Sequence, residues 1–349
     1  MKGKIEGCVF GMAIGDGFGL PTEFLSFQEI LEKWPPKGLM EPLGNPIMVS
    51  DDTQMAIAVA KALIENHRNG LQPLHLEKSL SHYFIEWLND PENTRAPGMT
   101  CIDACEKLER GLHWLQASSL NSKGCGANMR VATVGLLGLK GYDQTTIAKV
   151  AQLQAAITHG HPTALAASEL TAIAIERLIH GVGPEKILEY LTEYAEKQRT
   201  VYHTDYLQSV WDRPPFHSPE AFIEKGWDEC SRVLQKVKTS LREQHAKEDP
   251  CLLTGAGWVA EESFATGLFC FLLHPDDPVQ ALRRAVNSSG DSDSIACLTG
   301  AFSGAYCGIE AFPVDWVERI EYQQELEEIV KFFQCTTNPL PKNKGNRNR

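Results

Sequence analysis

The stretch Asn287-Ser-Ser-Gly-Asp-Ser-Asp-Ser-Ile-Ala-Cys-Leu-Thr-Gly-Ala-Phe-Ser-Gly-Ala-Tyr-Cys-Gly308 decides how the rest of the chain is read. Asp291 and Asp293 stand among hydroxyls, immediately ahead of an apolar run. In that run Gly300, Gly304 and Gly308 recur at every fourth position, which aligns them along one face of a helix. In an exposed helix each glycine would cost about 1 kcal/mol against alanine. The stripe therefore predicts a buried helix that another backbone approaches closely, with an acidic cluster at its mouth.

A second stripe, Gly7, Gly11, Gly15 and Gly19, runs through Ile5 to Leu20 and also meets acids, Asp16 and then Glu23. Two such helices can pack on one another and bring their carboxylates together. A third acidic group, Ser50-Asp51-Asp52-Thr53, opens an apolar helical run to Glu65. Helix is expected to begin close to Thr53, with Asp51 or Asp52 as its cap. A cap needs one oxygen, and two carboxylates after a serine exceed that need.

The remaining segments are helical patterns separated by loops. Leu74 to Leu115 is helical apart from Asn93-Thr-Arg-Ala-Pro-Gly98. Asn121 to Arg130 is a glycine-rich loop before an apolar helix expected over Val131 to Leu139. Backbone amides at such a start suit an anion, although neither a P-loop nor a dinucleotide fingerprint is present. His159-Gly-His161-Pro162 opens a helix to Ile179, with capping or ligand contact as the roles open to its histidines. Gly255 to Leu273 is an apolar helix in which Glu261 or Glu262, if turned inward, needs a partner. Asp276-Asp277 before Pro278 reads as a loop and cap. With no alternating β-branched runs and no long repeat, the expected fold is all-α: one compact multi-helix domain over residues 1–338 and a disordered basic tail over 339–349.

Composition narrows the function. The balance of 33 basic and 45 acidic side chains, net −12, argues against nucleic acid or an anionic membrane as partner. No apolar stretch reaches the roughly 20 residues that span a bilayer. Ten cysteines without a CxxC pair read as free thiols in a reducing cytoplasm, where the protein is expected. Ser-Asp-Asp and Asp-Ser-Asp-Ser offer oxygen ligands alone, which suit Mg²⁺, Mn²⁺ or Ca²⁺ and argue against a zinc or iron–sulfur set. Four aspartates in two loops suffice for a site with two ions roughly 3.5–4 Å apart.

The motifs Gly7-Cys-Val-Phe-Gly-Met-Ala-Ile-Gly-Asp-Gly-Phe-Gly-Leu-Pro-Thr-Glu-Phe24, Ser50-Asp-Asp-Thr53, Gly124-Cys-Gly-Ala-Asn-Met-Arg130, His159-Gly-His-Pro162, Gly257-Trp-Val-Ala-Glu-Glu262 and Gly290-Asp-Ser-Asp-Ser-Ile295 occur in one order. In that order the chain resembles the ADP-ribosylglycohydrolase family nearly end to end. The resemblance implies two Mg²⁺ ions, or Mn²⁺, at the base of a cleft in an all-α fold. Ser50, Asp51 and Asp52 would ligate them from one side, and Asp291, Asp293 and Ser294 from the other. Glu23, Asp52 and Asp291 are the implied catalytic carboxylates. Gly124, Gly126, Ala127, Asn128 and Met129 match the loop that holds the diphosphate, and His161 matches a residue near the ADP-ribose. The implied reaction removes ADP-ribose from a modified protein, with arginine as the expected linkage. Serine-linked or small-molecule ADP-ribose derivatives, and an ADP-ribose-binding immunity protein of reduced activity, are the alternatives. The chain departs from the family pattern in having Ser50 and Ser294 where threonine is usual. It also has no acid in 93–98, where one branch has a proposed base.

Overall fold

The two glycine stripes face each other. In the computed structural model, which describes residues 1–242 and 248–335, helix α1 (Lys2–Gly19) runs antiparallel to a helix over Ser292–Cys307. A Cβ added to Gly7 would lie 2.6 Å from the Gly304 carbonyl oxygen, one on Gly11 2.4 Å from that of Gly300, and one on Gly15 2.0 Å from that of Ala296. The backbones thus touch with no side chain between them, as the spacing predicts. At the end of the seam a Cβ on Gly19 would lie 2.5 Å from the Cα of Asp293. The mouth of one helix is thereby fixed against the mouth of the other.

Around this pair the chain winds further helices: α2 (Asp51–Asn66), α3 (Pro73–Leu88), α4 (Met99–Glu109), α5 (Gln144–Ala156) and α6 (Pro162–Ile179). Then follow α7 (Pro184–Gln198), α8 (Pro219–Arg242), α9 (Ala260–Leu273), α10 (Pro278–Val286), α11 (Ser292–Cys307) and α12 (Gln323–Gln334). Shorter helices and turns join them, and no strand occurs among the described residues. The fold is one compact all-α domain. Helix α1 is buried continuously from Gly7 to Gly19 and α11 from Ser292 to Ala305, so both are core helices and not amphipathic surface ones. Helix α8 is the opposite case, with apolar residues such as Phe222, Trp227 and Leu234 inward and a charged outer face.

Several local expectations hold. Glu261 is buried and ion-pairs with Lys123, and Asp277 caps α10 with Pro278 at its first turn. All ten cysteines are free, and seven of them are buried. Among the described residues, no helix is long and apolar enough to cross a membrane. The basic block 342–349 and the boundary drawn at 338 lie outside the described residues.

Two expectations change. Helix α2 starts at Asp51, and its cap is Ser50, whose Oγ accepts from the Asp52 amide. The apolar run 131–139 is not one helix but a short turn of helix (Ala132–Gly135) running into a 3-10 segment (Leu136–Lys140). There the backbone is pressed against α6: a Cβ on Gly135 would lie 2.7 Å from the Ala172 carbonyl oxygen.

Candidate functional site

Because Ser50 does the capping, Asp51 and Asp52 are left over in the first turn of α2 with no structural duty at the helix end. Asp16, fully buried on α1, accepts from the Ser50 amide (2.9 Å), the Thr53 amide (3.0 Å) and the Thr53 hydroxyl (2.5 Å). It ties the start of α2 to α1 and turns the two acids toward the seam. From the opposite side Asp291 stands at the cap position of α11 without using its side chain as a cap, and Asp293 lies in the first turn. The Ser292 hydroxyl donates to the Gly19 carbonyl at 3.1 Å and lies 2.9 Å from the Thr22 hydroxyl. These contacts hold the acidic loop against the turn that carries Glu23.

A cleft of about 320 Å³ opens over these acids. Its walls include Glu23, Asp51, Asp52, Asp291, Asp293 and Ser294, and among the described residues lining it none is Lys or Arg. One carboxylate oxygen from each of Glu23, Asp291 and Asp293 can be drawn from within 4.8 Å of the others. The protonation equilibria register the crowding. Burial, and after it repulsion from Asp293, pushes Asp16 up to about 6, Glu23 to about 9 and Asp51 to about 8. Burial likewise raises Asp52 and Asp291 well above the usual carboxylate range. Two like charges 4 Å apart repel by about 4 kcal/mol at an effective dielectric of 20. Asp52 Oδ2 is buried and has no hydrogen-bond partner. Oxygen donors, an orphaned buried oxygen and uncompensated negative charge together fit a hard divalent cation.

Of the residues expected for the ligand, Gly124, Gly126 and Met129 line the cleft. Ala127 and Asn128 are buried behind it. Ala127 accepts from Gln154 Nε2 and Ser168 Oγ, and Asn128 Nδ2 donates to the Ala260 carbonyl. Several amides of this loop are already engaged within the chain: Cys125 with the Trp258 carbonyl, and Asn128 and Met129 with that of Cys125. With the 131–139 run broken, no long helix directs its dipole at the cleft from here. Ser50 is not among the lining residues, but its hydroxyl caps α2 and its side chain also hydrogen-bonds Asp293, which lines the cleft. His161 does not reach the cleft: it caps α6, its Nδ1 accepting from the Thr163 amide at 3.2 Å. His159 lines the cleft in its place.

Other lining residues were not singled out by sequence. The Cys125 thiol donates to Asp291 Oδ2. Phe24, 65% exposed and held at φ 65°, stacks on Trp258 at 5.4 Å at the mouth of the cleft. The segment Ala96–Cys101 forms another wall, with the Gly98 amide donating to Asp51 Oδ2. Phe24, Cys125 and Trp258 all lie inside motifs already quoted, so the available signal was adjacency to the acids and glycines.

An all-α domain with an acidic cleft where its first and eleventh helices meet is thus the class of protein that fold and site define. A model of the ADP-ribosylglycohydrolase family matches residues 1–340, and the chain belongs to that family. It is 28% identical to ADP-ribosylhydrolase ARH3 of Mus musculus, over 93% of this chain and 89% of that one. It is 23% identical to ADP-ribosylarginine hydrolase Tri1 of Serratia proteamaculans, over 94% of this chain and 78% of that one. A solved structure described as an ADP-ribosylglycohydrolase-related protein complex superposes with a TM-score of 0.65 at 22% identity, covering 95% of this chain and 97% of that one. The family supports hydrolysis of ADP-ribose linkages.

Proposed function

We propose that the protein is a divalent-metal-dependent hydrolase that releases ADP-ribose from modified protein side chains, arginine first among them. The observation that carries this reading is the cleft in which Glu23, Asp291 and Asp293 converge with no lysine or arginine along its walls. Such a site calls for positive charge from outside the chain. Ser50, Asp51 and Asp52 on one side and Asp291, Asp293 and Ser294 on the other would hold two Mg²⁺ ions, with Mn²⁺ as substitute, Ser50 serving also as the cap of α2. When bound, such ions hold a ribose diol and acidify a water.

The chain's own groups complete the chemistry. Glu23 is the carboxylate that accepts the proton of the attacking water, with Asp52 and Asp291 orienting it. Burial and acidic neighbours keep a proton on Glu23 up to about 9. Neutralising Asp293 and Asp51 lowers that value toward the range of a working base. Gly124, Gly126 and Met129 form the wall along which the diphosphate lies, while Ala127 and Asn128 hold its shape. The place beside ADP-ribose expected for His161 passes to His159. The stacked Phe24 and Trp258 give the mouth an apolar edge suited to an aromatic base. The partner is an ADP-ribosylated protein and the product ADP-ribose, acted on by residues 1–338 in the cytoplasm, without nucleic acid or membrane.

The arginine linkage draws on the printed activity of the Serratia relative. Serine-linked substrates are the second reading, since the more similar vertebrate relatives are ADP-ribosylhydrolases whose name leaves the linkage open. The test is release of ADP-ribose from arginine- and serine-modified targets with Mg²⁺, with Mn²⁺ and with EDTA. Release from the arginine target that EDTA abolishes is the expected result. Release from the serine target alone would move the linkage, and no release from either would sink the enzyme reading.

A further inference from the structure

Arg130 is the oddest charge in the protein. It is 0% exposed, and its five hydrogen-bond acceptors are all neutral: Gln154 Oε1, the Gln154 carbonyl, Thr158 Oγ1, Met55 Sδ and Cys101 Sγ. Its guanidinium also lies 4.3 Å from the centre of the Phe84 ring. A buried cation without a carboxylate is costly, so a mere packing role would be served better by an apolar side chain of the same volume.

The contact that leads out of the core is the one to Thr158. Arg130 Nη2 donates to Thr158 Oγ1 at 2.8 Å, and the same oxygen lies 2.8 Å from His159 Nδ1. Arginine can only donate, so Thr158 Oγ1 is the acceptor there and its own hydrogen is left to give. Two acceptors are within reach, His159 Nδ1 and the Cys101 sulfur. Sulfur is a weak acceptor and an imidazole nitrogen a strong one, so the hydrogen goes to Nδ1. That places the ring proton of His159 on Nε2. The Nε2 edge lies against the cleft loop: Cβ atoms built on Gly124 and Gly126 would sit 3.2 and 3.5 Å from Nε2. Both glycines and His159 line the cleft.

We infer that Arg130 and Thr158 are positioning residues that fix His159 as a neutral Nε2–H donor aimed along the glycine loop, at the place where an anionic oxygen of the substrate comes to rest. The inference rests on the proposed ADP-ribose reading for the identity of that oxygen, a diphosphate one, and on the hydrogen-bond chain alone for the tautomer. Burial, and after it the Arg130 charge, pushes His159 down to about 3, so the ring stays uncharged at working pH. A neutral ring keeps one donor and one acceptor, and which nitrogen faces the ligand then matters. In the opposite tautomer a lone pair on Nε2 would face the anion.

The test is nitrogen-15 NMR of the histidine-labelled full-length protein in Mg²⁺ at pH 8, with His159→Gln assigning the resonance. Wild type is expected to show the Nε2–H tautomer. Thr158→Val keeps the side-chain shape and removes the hydroxyl. It should shift the ring toward Nδ1–H and weaken ADP-ribose binding by calorimetry about tenfold, the worth of one good hydrogen bond. Thr158→Ser should restore the tautomer and bring affinity back to within about twofold, a rescue that a packing role would not predict. An Nδ1–H tautomer in wild type, or a Thr158→Val protein with unchanged tautomer and affinity, overturns the inference. A wild type that shows Nε2–H yet binds no ADP-ribose refutes the reading of the cleft and leaves the Arg130–Thr158 assignment standing.

Discussion

Gly304→Ala sets two known effects against each other. An added methyl gains about 1 kcal/mol of helix propensity over glycine. At this position it would also sit 1.8 Å from the Gly7 carbonyl oxygen and 2.1 Å from its carbon, both rigid backbone atoms. Unbonded carbon atoms rest about 3.5–4.0 Å apart, so α1 and α11 must part by roughly 1.5 Å. The seam is equally tight further along, where a Cβ on Gly300 would be only 1.9 Å from the Gly11 oxygen, so no slack lies next to the added methyl. Overpacking costs about 1–3 kcal/mol where neighbours can give way. Here only backbone can move, so the upper end applies and the net loss is about 2 kcal/mol. For 349 residues the unfolding entropy is about 0.7 kcal/mol/K, which makes the fall in Tm about 3 °C. Calorimetry measures it, with Gly183→Ala as the control. The nearest atoms to a Cβ there are those of the Glu185 carboxylate, which can rotate away, so the loss should stay within about 1 kcal/mol, the cost of alanine at that N-cap. If Gly304→Ala proved as stable as wild type, propensity would have won and the backbone-to-backbone seam would not exist. Gly300→Leu, far larger, should spoil folding before it touches the chemistry.

Asp291→Asn and Asp51→Asn should each weaken Mg²⁺ binding by calorimetry and lower turnover by at least the 10–100-fold that losing an outer-shell partner costs. Full activity in either variant would break the two-metal assignment. Mg²⁺ at about 100 times its dissociation constant should raise stability by about 2.7 kcal/mol and EDTA should remove that gain, whereas a Tm indifferent to both would mean the acids hold no ion. Buried Glu169 accepts from Gln152 and Tyr194, and burial raises it to about 7. A carboxyl raised in the fold contributes stability that is fully present below its unfolded value near 4.5 and is lost as pH rises toward 7. Glu169→Gln should therefore flatten the decline in urea stability between pH 5 and 8, by up to about 3 kcal/mol. Parallel pH profiles for variant and wild type would refute it.

What could be read in advance follows from what is local. Glycine at every fourth position is a property of one helix, and it predicts the α1–α11 seam because only another backbone can fill such a face. Acids in excess of capping needs announce a charge to be met, which made Asp51, Asp52, Asp291 and Asp293 legible. Asp16 was visible as an acid but not in its role, since its partners Ser50 and Thr53 belong to another helix and the pairing is purely tertiary. His159 and His161 stand two residues apart. Which one faces the cleft depends on which serves as the cap of α6, a matter of backbone direction that composition does not carry. The run 131–139 has helical composition, yet contact with α6 at Gly135 breaks it.

The seam between α1 and α11 also sets a timetable. The Ser292–Gly19 bond joins positions 273 apart in the chain. At 5–20 residues per second a ribosome needs roughly 15–55 s to cover that interval. Throughout it α1 waits with a smooth apolar face that has no partner of its own, a surface for chaperones or for a neighbouring nascent chain to seize. The acidic cleft comes into being only with the last long buried helix. A nascent chain that stops short of α11 lacks Asp291 and Asp293, and with them half of the acidic cleft.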